Sequence, residues 1–328
     1  MRVLAPVRAP AEVEPLASAG ADEFYCGVAP PWWAERCGTA WSSRRDPRAA
    51  GVAGVDELDR IVTLAGTRPV YVALNAAHYP GQALEGLADF GRELLADHGV
   101  GALIVADVEL LLALAERGLA HRVHVSSLAT VTNAAAAGFF RDLGAARIIL
   151  PRHLTLEEIG AAVVPGVEFE AFALNDGCVF EEGLCATTHA LGPFCLGDGP
   201  GTEGVPGEAL DRYEFWKWTL SNCGCRTSRG YPLAPCGLCA IPALARLGVT
   251  SLKVVGREAS TERKRASVEL AARAVGLARA GAGPEEIRDA VVRLRGARSV
   301  CDGARGCYYP DLWRGTCLGR HDGEAAAC

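Results

Sequence analysis

Apolar residues fall along this chain in two alternating rhythms. Short runs rich in β-branched and aromatic residues read as strands: RVLA (2–5), DEFYCGV (22–28), PVYVALN (69–75), ALIVAD (102–107), RVHVSS (122–127), ARIILPR (146–152), VEFEAFAL (167–174) and SLKVVG (251–256). Between them lie segments whose apolar residues recur at helical spacing, among them GVDELDRIVTLAG, ALEGLADFGRELLADHG and NAAAAGFFRDLG. Many close on glycine, which readily adopts the left-handed turn that ends a helix. Eight strand–helix units in succession predict a closed (β/α)8 barrel, an α/β fold of the TIM type. An open doubly wound sheet is the competing architecture, but the turn after the first strand reads LAPVRAP and lacks a GxGxxG phosphate turn.

Two stretches depart from a plain barrel. The connection after strand seven, from about 175 to 236, is far longer than an ordinary βα loop, and connections of that length are usually functional. After strand eight come two helical segments, 260–282 and 284–295, and then a loop-rich tail. The expected organisation is a barrel over 1–283 with a cysteine-rich insertion at 175–236, followed by a C-terminal extension over 284–328 whose end is expected to be disordered.

Half of the 328 residues are apolar, enough to bury a substantial core. The net charge of −6 argues against nucleic acid or a membrane surface as the partner. MRVLAPVRAP contains no continuous apolar run and no window is apolar enough for a membrane helix, so the expected location is the cytoplasm. Thirteen cysteines in that reducing compartment point to metal ligation more than to disulfides. Cys26, Cys37 and Cys328 read instead as small buried hydrophobes.

The thiols concentrate in CVFEEGLCATTHALGPFC (178–195) and CGLC (236–239). Reacting groups of a (β/α)8 barrel sit at the C-terminal ends of its strands. Strand seven delivers Asn175 and Cys178 to that end, and Cys236 and Cys239 precede the helix leading into strand eight. Cys178, Cys185, Cys195 and one CGLC thiol are therefore expected above the barrel mouth. Four thiolates suit an iron–sulfur cluster or a tetrahedral zinc. Spacings of seven and ten residues with a single CxxC favour the cluster, with zinc as the alternative.

Strand alternation sorts the other candidates. In SLKVVGR, apolar Leu252 and Val254 face the helices, which turns Lys253 inward and puts Arg257 at the mouth. The same parity turns His124, Ser126 and Asn75 inward, and Glu170 too, where it can pair with Lys253; an unpaired charge there would be costly. Arg152, ending strand six, can present a guanidinium fork to a carboxylate. The expected catalytic set is Lys253, Arg257, Arg152, Glu170 and His124, with Asn75, Ser126 and Asn175 contacting substrate. His189 reads as a loop residue. Ser126 and His124 build no recognisable triad, and neither GxSxG nor HExxH occurs.

LAPVRAPAEVEPLASAGADEFYCG, VYVALN, HVSSLATVTNAAAAGFFRDLGAARIILPRHLTLEEI and LGVTSLKVVGRE resemble, in that order, segments of the collagenase-like peptidase family U32. The last contains that family's SxKxxGR element, and the resemblance covers most of residues 1–275. It implies a barrel whose mouth carries a cysteine-ligated [4Fe–4S] cluster, since members of this size include oxygen-independent hydroxylases. Several of those take prephenate as oxygen source and act on quinone precursors or RNA bases. By position the resemblance makes Cys178 and Cys185 the first two ligands and Cys236, or its neighbour Cys239, the last. The third falls to Cys195, or to Cys223 or Cys225. Val255 stands where the family has a glutamate, and Cys301, Cys307 and Cys317 have no counterpart.

The expected function is an iron–sulfur-dependent oxidoreductase, an oxygen-independent hydroxylase of a small molecule or peptide. A peptidase, as the family name states, is one alternative. A zinc-stabilised non-catalytic subunit paired with a second barrel subunit is the other.

Overall fold

In the computed structural model the described residues are 1–38, 41–45, 47–76, 78–175, 182–185, 227–233, 235–297 and 306–313. Eight parallel strands close on themselves in sequence order: β1 (Arg2–Pro6), β2 (Glu23–Cys26), β3 (Val70–Leu74), β4 (Ala102–Val105), β5 (Val123–Val125), β6 (Arg147–Ile149), β7 (Glu168–Leu174) and β8 (Val249–Val254). β8 pairs with β1 through Val3 and Leu252, which completes the cylinder. The strands lie within the runs read from the sequence, apart from β1, which runs one residue further to Pro6, and β8, which begins two residues earlier at Val249.

Helices return the chain between strands, and their apolar faces cover the barrel. In the Gly81–Ala96 helix, Leu84, Leu87, Leu94 and Leu95 are buried at the three-to-four-residue spacing of one face. Asp107, Asn133 and Thr155 cap the helices that follow β4, β5 and β6 by accepting from backbone N–H groups of the first turn. The Thr261–Arg279 helix completes the ring beyond β8, and the Pro284–Arg295 helix packs against it. A second long connection, unmarked by any sequence period, links β2 to the Val55–Ala65 helix and carries two short helices, Trp33–Cys37 and Pro47–Ala50.

The upper half of β7 outruns β6, which leaves ladder groups to be satisfied. Segment 235–237 satisfies them: Asn175 N donates to Pro235 O and Gly237 N to Ala173 O. The C-terminal segment then adds to the other side of Cys236, with Cys236 N donating to Gly306 O and Tyr308 N to Cys236 O. No described helix is long and apolar enough to cross a membrane.

Candidate functional site

Inward-facing strand positions here carry an ionic network. Arg147, fully buried on β6, donates to both oxygens of Glu23 on β2 at 2.8 and 2.9 Å. It also reaches Glu168 at 2.9 Å and Glu170 at 3.1 Å on β7. Lys253 on β8 donates to the other oxygen of Glu170 at 2.9 Å and stands 4.2 Å from the centre of the Tyr25 ring. Arg2 pairs with Glu23 and Glu168 at the lower end. Three cations thus face three carboxylates, the balance a low-dielectric interior demands.

Burial pulls the Lys253 ammonium below the usual lysine range, an effect the Glu170 carboxylate only partly offsets. Burial would raise the carboxyl of Glu23, but the hydrogen bonds and charge of Arg147 hold it below its ordinary value. His124 is pushed well below its ordinary range by burial and then by the charges of Arg147 and Lys253, so it is neutral. Its ring packs edge-on against Tyr71 with centroids 4.5 Å apart.

Above this network the mouth opens into a pocket with about 520 Å³ of free space, part of it continuous with solvent. Lys253 and Tyr25 belong to its lining, with Phe172 from β7, and Arg44, Arg45 and Arg257 add positive charge. Asn75 ties two walls together: its Oδ1 accepts from Arg44 N at 3.2 Å and its Nδ2 donates to Ser126 Oγ at 3.3 Å. Arg257 is 5% exposed, touches Ser43 Oγ at 3.4 Å, and has no ion-pair partner among the described residues. Burial lowers its pKa. Gly27 makes room for it, since a Cβ there would lie 2.2 Å from Arg257 Nη1.

Arg152 and Asn175 are directed away from this pocket. Arg152, 5% exposed, pairs through Nη1 with Glu182 Oε1 at 3.0 Å, and its backbone N–H donates to the same carboxylate at 3.3 Å. The Asn175 amide donates to Val255 O and to Ser267 Oγ of the Thr261–Arg279 helix. Glu182 is fully buried and opens the 3-10 turn Glu182–Cys185, which packs over the Ser127–Ala129 turn at the end of β5. Gly183 is pressed so close that a Cβ would meet Thr130 Oγ1 at 2.2 Å.

That turn sets the Cys185 backbone at the mouth end of β5, while Cys236 pairs with Leu174 at the mouth end of β7. Cys239 follows in the Leu238–Ala240 turn and is nearly buried. Soft thiol donors at the catalytic end of a barrel suit a thiophilic centre in kind and in place. Cys178, Cys195, Cys223, Cys225, Cys301, Cys317, Cys328 and His189 lie outside the described residues. Among the described residues no group of three or more His, Cys, Asp or Glu is gathered for a metal ion.

Glu23, Tyr25, Tyr71 and Arg147 were overlooked in the sequence, although the parity that turned Lys253 and Glu170 inward applies equally to DEFYC, VYVAL and ARIIL. Ser43, Arg44 and Arg45 had no comparable signal, because their connection carries no period.

The closed cylinder with a cationic mouth defines a (β/α)8 protein of the kind whose active groups sit at the strand ends. This chain belongs to peptidase family U32, whose family model matches residues 9–299. It is similar to tRNA hydroxylation protein P of Escherichia coli (strain K12), 33% identical over 119 residues, which are 35% of this chain and 25% of that protein. The protein of the same name from Haemophilus influenzae is 29% identical over 136 residues, 40% of this chain and 28% of the relative. The matched stretches thus span little more than a quarter of those relatives' length. Among solved structures the chain is similar to the U32 peptidase Mk0906, with a TM-score of 0.46 at 16% identity over 78% of this chain and 93% of that one.

Proposed function

We propose that this chain is an iron–sulfur-dependent oxidoreductase that hydroxylates its substrate without molecular oxygen and holds an anionic donor or substrate in the barrel mouth. The observation that carries this reading is Arg257, a buried guanidinium facing the pocket with no ion-pair partner among the described residues. Such a group is costly unless it meets an anion, and a carboxylate fits its fork. Lys253 adds a second donor whose charge is already shared with Glu170. Asn75 and Ser126 supply neutral polar groups to the same pocket, and Phe172 an apolar wall. Arg152 acts at one remove, by holding Glu182 and with it the turn that bears Cys185.

The residues that would hold an iron–sulfur centre are Cys185 and Cys236 or Cys239, with Cys178 and Cys195. When bound, such a centre supplies one-electron chemistry. A small molecule or peptide bearing a carboxylate suits this cationic mouth in a chain of net charge −6. An RNA base is the second reading, favoured by the two relatives named for tRNA hydroxylation. The peptidase reading draws less support: Ser126 Oγ accepts from Asn75 and Leu128 N, and His124 lies beneath it against Tyr71.

The test is calorimetric titration of the anaerobically purified protein with prephenate and simpler carboxylates. Arg257→Met should weaken carboxylate binding by roughly tenfold or more, about 1.4 kcal/mol, while melting like the wild type. Equal binding by the variant would remove Arg257 from the site. Mass gain of one oxygen, sought in parallel on unmodified tRNA, peptides and small molecules, separates the substrate readings.

A further inference from the structure

The C-terminal extension reaches the CGLC turn with a cysteine that the family pattern leaves unplaced. Cys307 is the parallel bridge partner of Cys236. Partners across a bridge project side chains to the same face, on strands about 4.8 Å apart. With metal–thiolate bonds of about 2.3 Å, two such sulfurs can reach one metal centre.

The docking that creates this pair is specific. The Tyr309 ring lies on Gly237, where a Cβ would stand 2.6 Å from Tyr309 Cε2, so the glycine of CGLC is what admits it. Tyr309 OH donates to Phe172 O at 3.3 Å, and Asp311 Oδ2 accepts from Leu156 N at 2.8 Å. Tyr308 and Tyr309 are both buried. Phe172, which lines the mouth pocket, therefore joins that pocket to the Cys236–Cys307 pair.

An independent feature of the same extension calls for negative charge. Arg295 is fully buried in the last turn of the Pro284–Arg295 helix, which packs against the Leu238–Ala240 turn. None of its three guanidinium nitrogens has a hydrogen-bond partner among the described residues. A buried cation of this kind is costly without a compensating anionic group, which the described residues do not supply by hydrogen bond.

We propose that Cys307 is a metal ligand, a thiolate that the C-terminal extension adds to the centre served by Cys236. This rests on the reading of the mouth as a metal centre and fills from outside the barrel one of its four thiolate positions, the one otherwise left to Cys195, Cys223 or Cys225. The full chain and its Cys307→Ser, Cys236→Ser and Cys37→Ser variants are purified anaerobically and their iron and labile sulfide counted. Each is then stripped of metal and titrated with Cd²⁺, with thiolate-to-metal charge-transfer absorbance as the readout. Circular dichroism melts check folding, and Cys307→Ala replaces the serine variant if that one fails to fold.

Cys307→Ser is expected to lose about one cadmium–thiolate bond per chain, as Cys236→Ser does, and its iron content to fall several-fold, with Cys37→Ser unchanged. A wild-type thiolate count and iron content in Cys307→Ser would overturn the assignment, as would a Cys236–Cys307 disulfide in the protein as purified. A wild type without iron that still shows the one-thiolate difference would end the iron–sulfur reading and leave the ligand in place. A wild type that binds no cadmium tightly would end both.

Discussion

His124 shows how a buried network writes itself into pH dependence. Its folded pKa lies well below the ordinary histidine value, so as pH falls through about 6.5 the unfolded chain takes up a proton that the native state refuses. The stability His124 contributes is therefore complete above that pH and is lost as pH drops toward the depressed value. Urea unfolding between pH 7 and 5 should show a loss approaching about 1.4 kcal/mol per pH unit from this residue, absent in His124→Gln. Equal slopes would mean that the imidazole takes up its proton in the fold as readily as in the unfolded chain. The inward placement of His124, Ser126, Asn75, Lys253 and Glu170 was legible from two-residue alternation alone. The partner of Arg152 was not: Glu182 lies thirty positions away in a connection without periodicity, and only the folded chain brings the two together.

At the level of elements, the eight strands and the helices between them were readable because every strand is apolar on the face that meets a helix. The connection after β2 was not, since its short helices are held by tertiary contacts. Trp33 packs edge-on against Tyr79 with centroids 5.9 Å apart, and Tyr79 OH donates to Ser42 O at 2.7 Å. The Glu182–Cys185 turn is likewise fastened by the buried Arg152–Glu182 ion pair. Glu182→Gln removes the carboxylate from a buried ion pair, a loss of about 3 kcal/mol. Amide hydrogen exchange across 182–185 should accelerate accordingly, while β5 and β6 keep their protection. Unchanged exchange in the turn would show that packing of Gly183 on Thr130 suffices to hold it.

For the whole molecule, the charged barrel interior, the cationic mouth and the thiols at its rim form a continuous sequence from floor to surface. Glu170 and Lys253 stand between the buried network and the pocket, and Phe172 stands between the pocket and the Cys236 segment. The cysteine spacing is what points to a metal centre, the reading proposed above. What spacing could not supply was the C-terminal return, because GCYYP carries no period and meets CGLC only through backbone pairing and the fit of Tyr309 on Gly237.

The central claim is that these thiols hold an iron–sulfur centre. Iron, zinc and acid-labile sulfide counted on one anaerobically purified sample of the full chain test it most directly. A [4Fe–4S] protein should yield about four irons and four sulfides per chain, with little zinc. A colourless protein with stoichiometric zinc, or with neither iron nor sulfide, would contradict it.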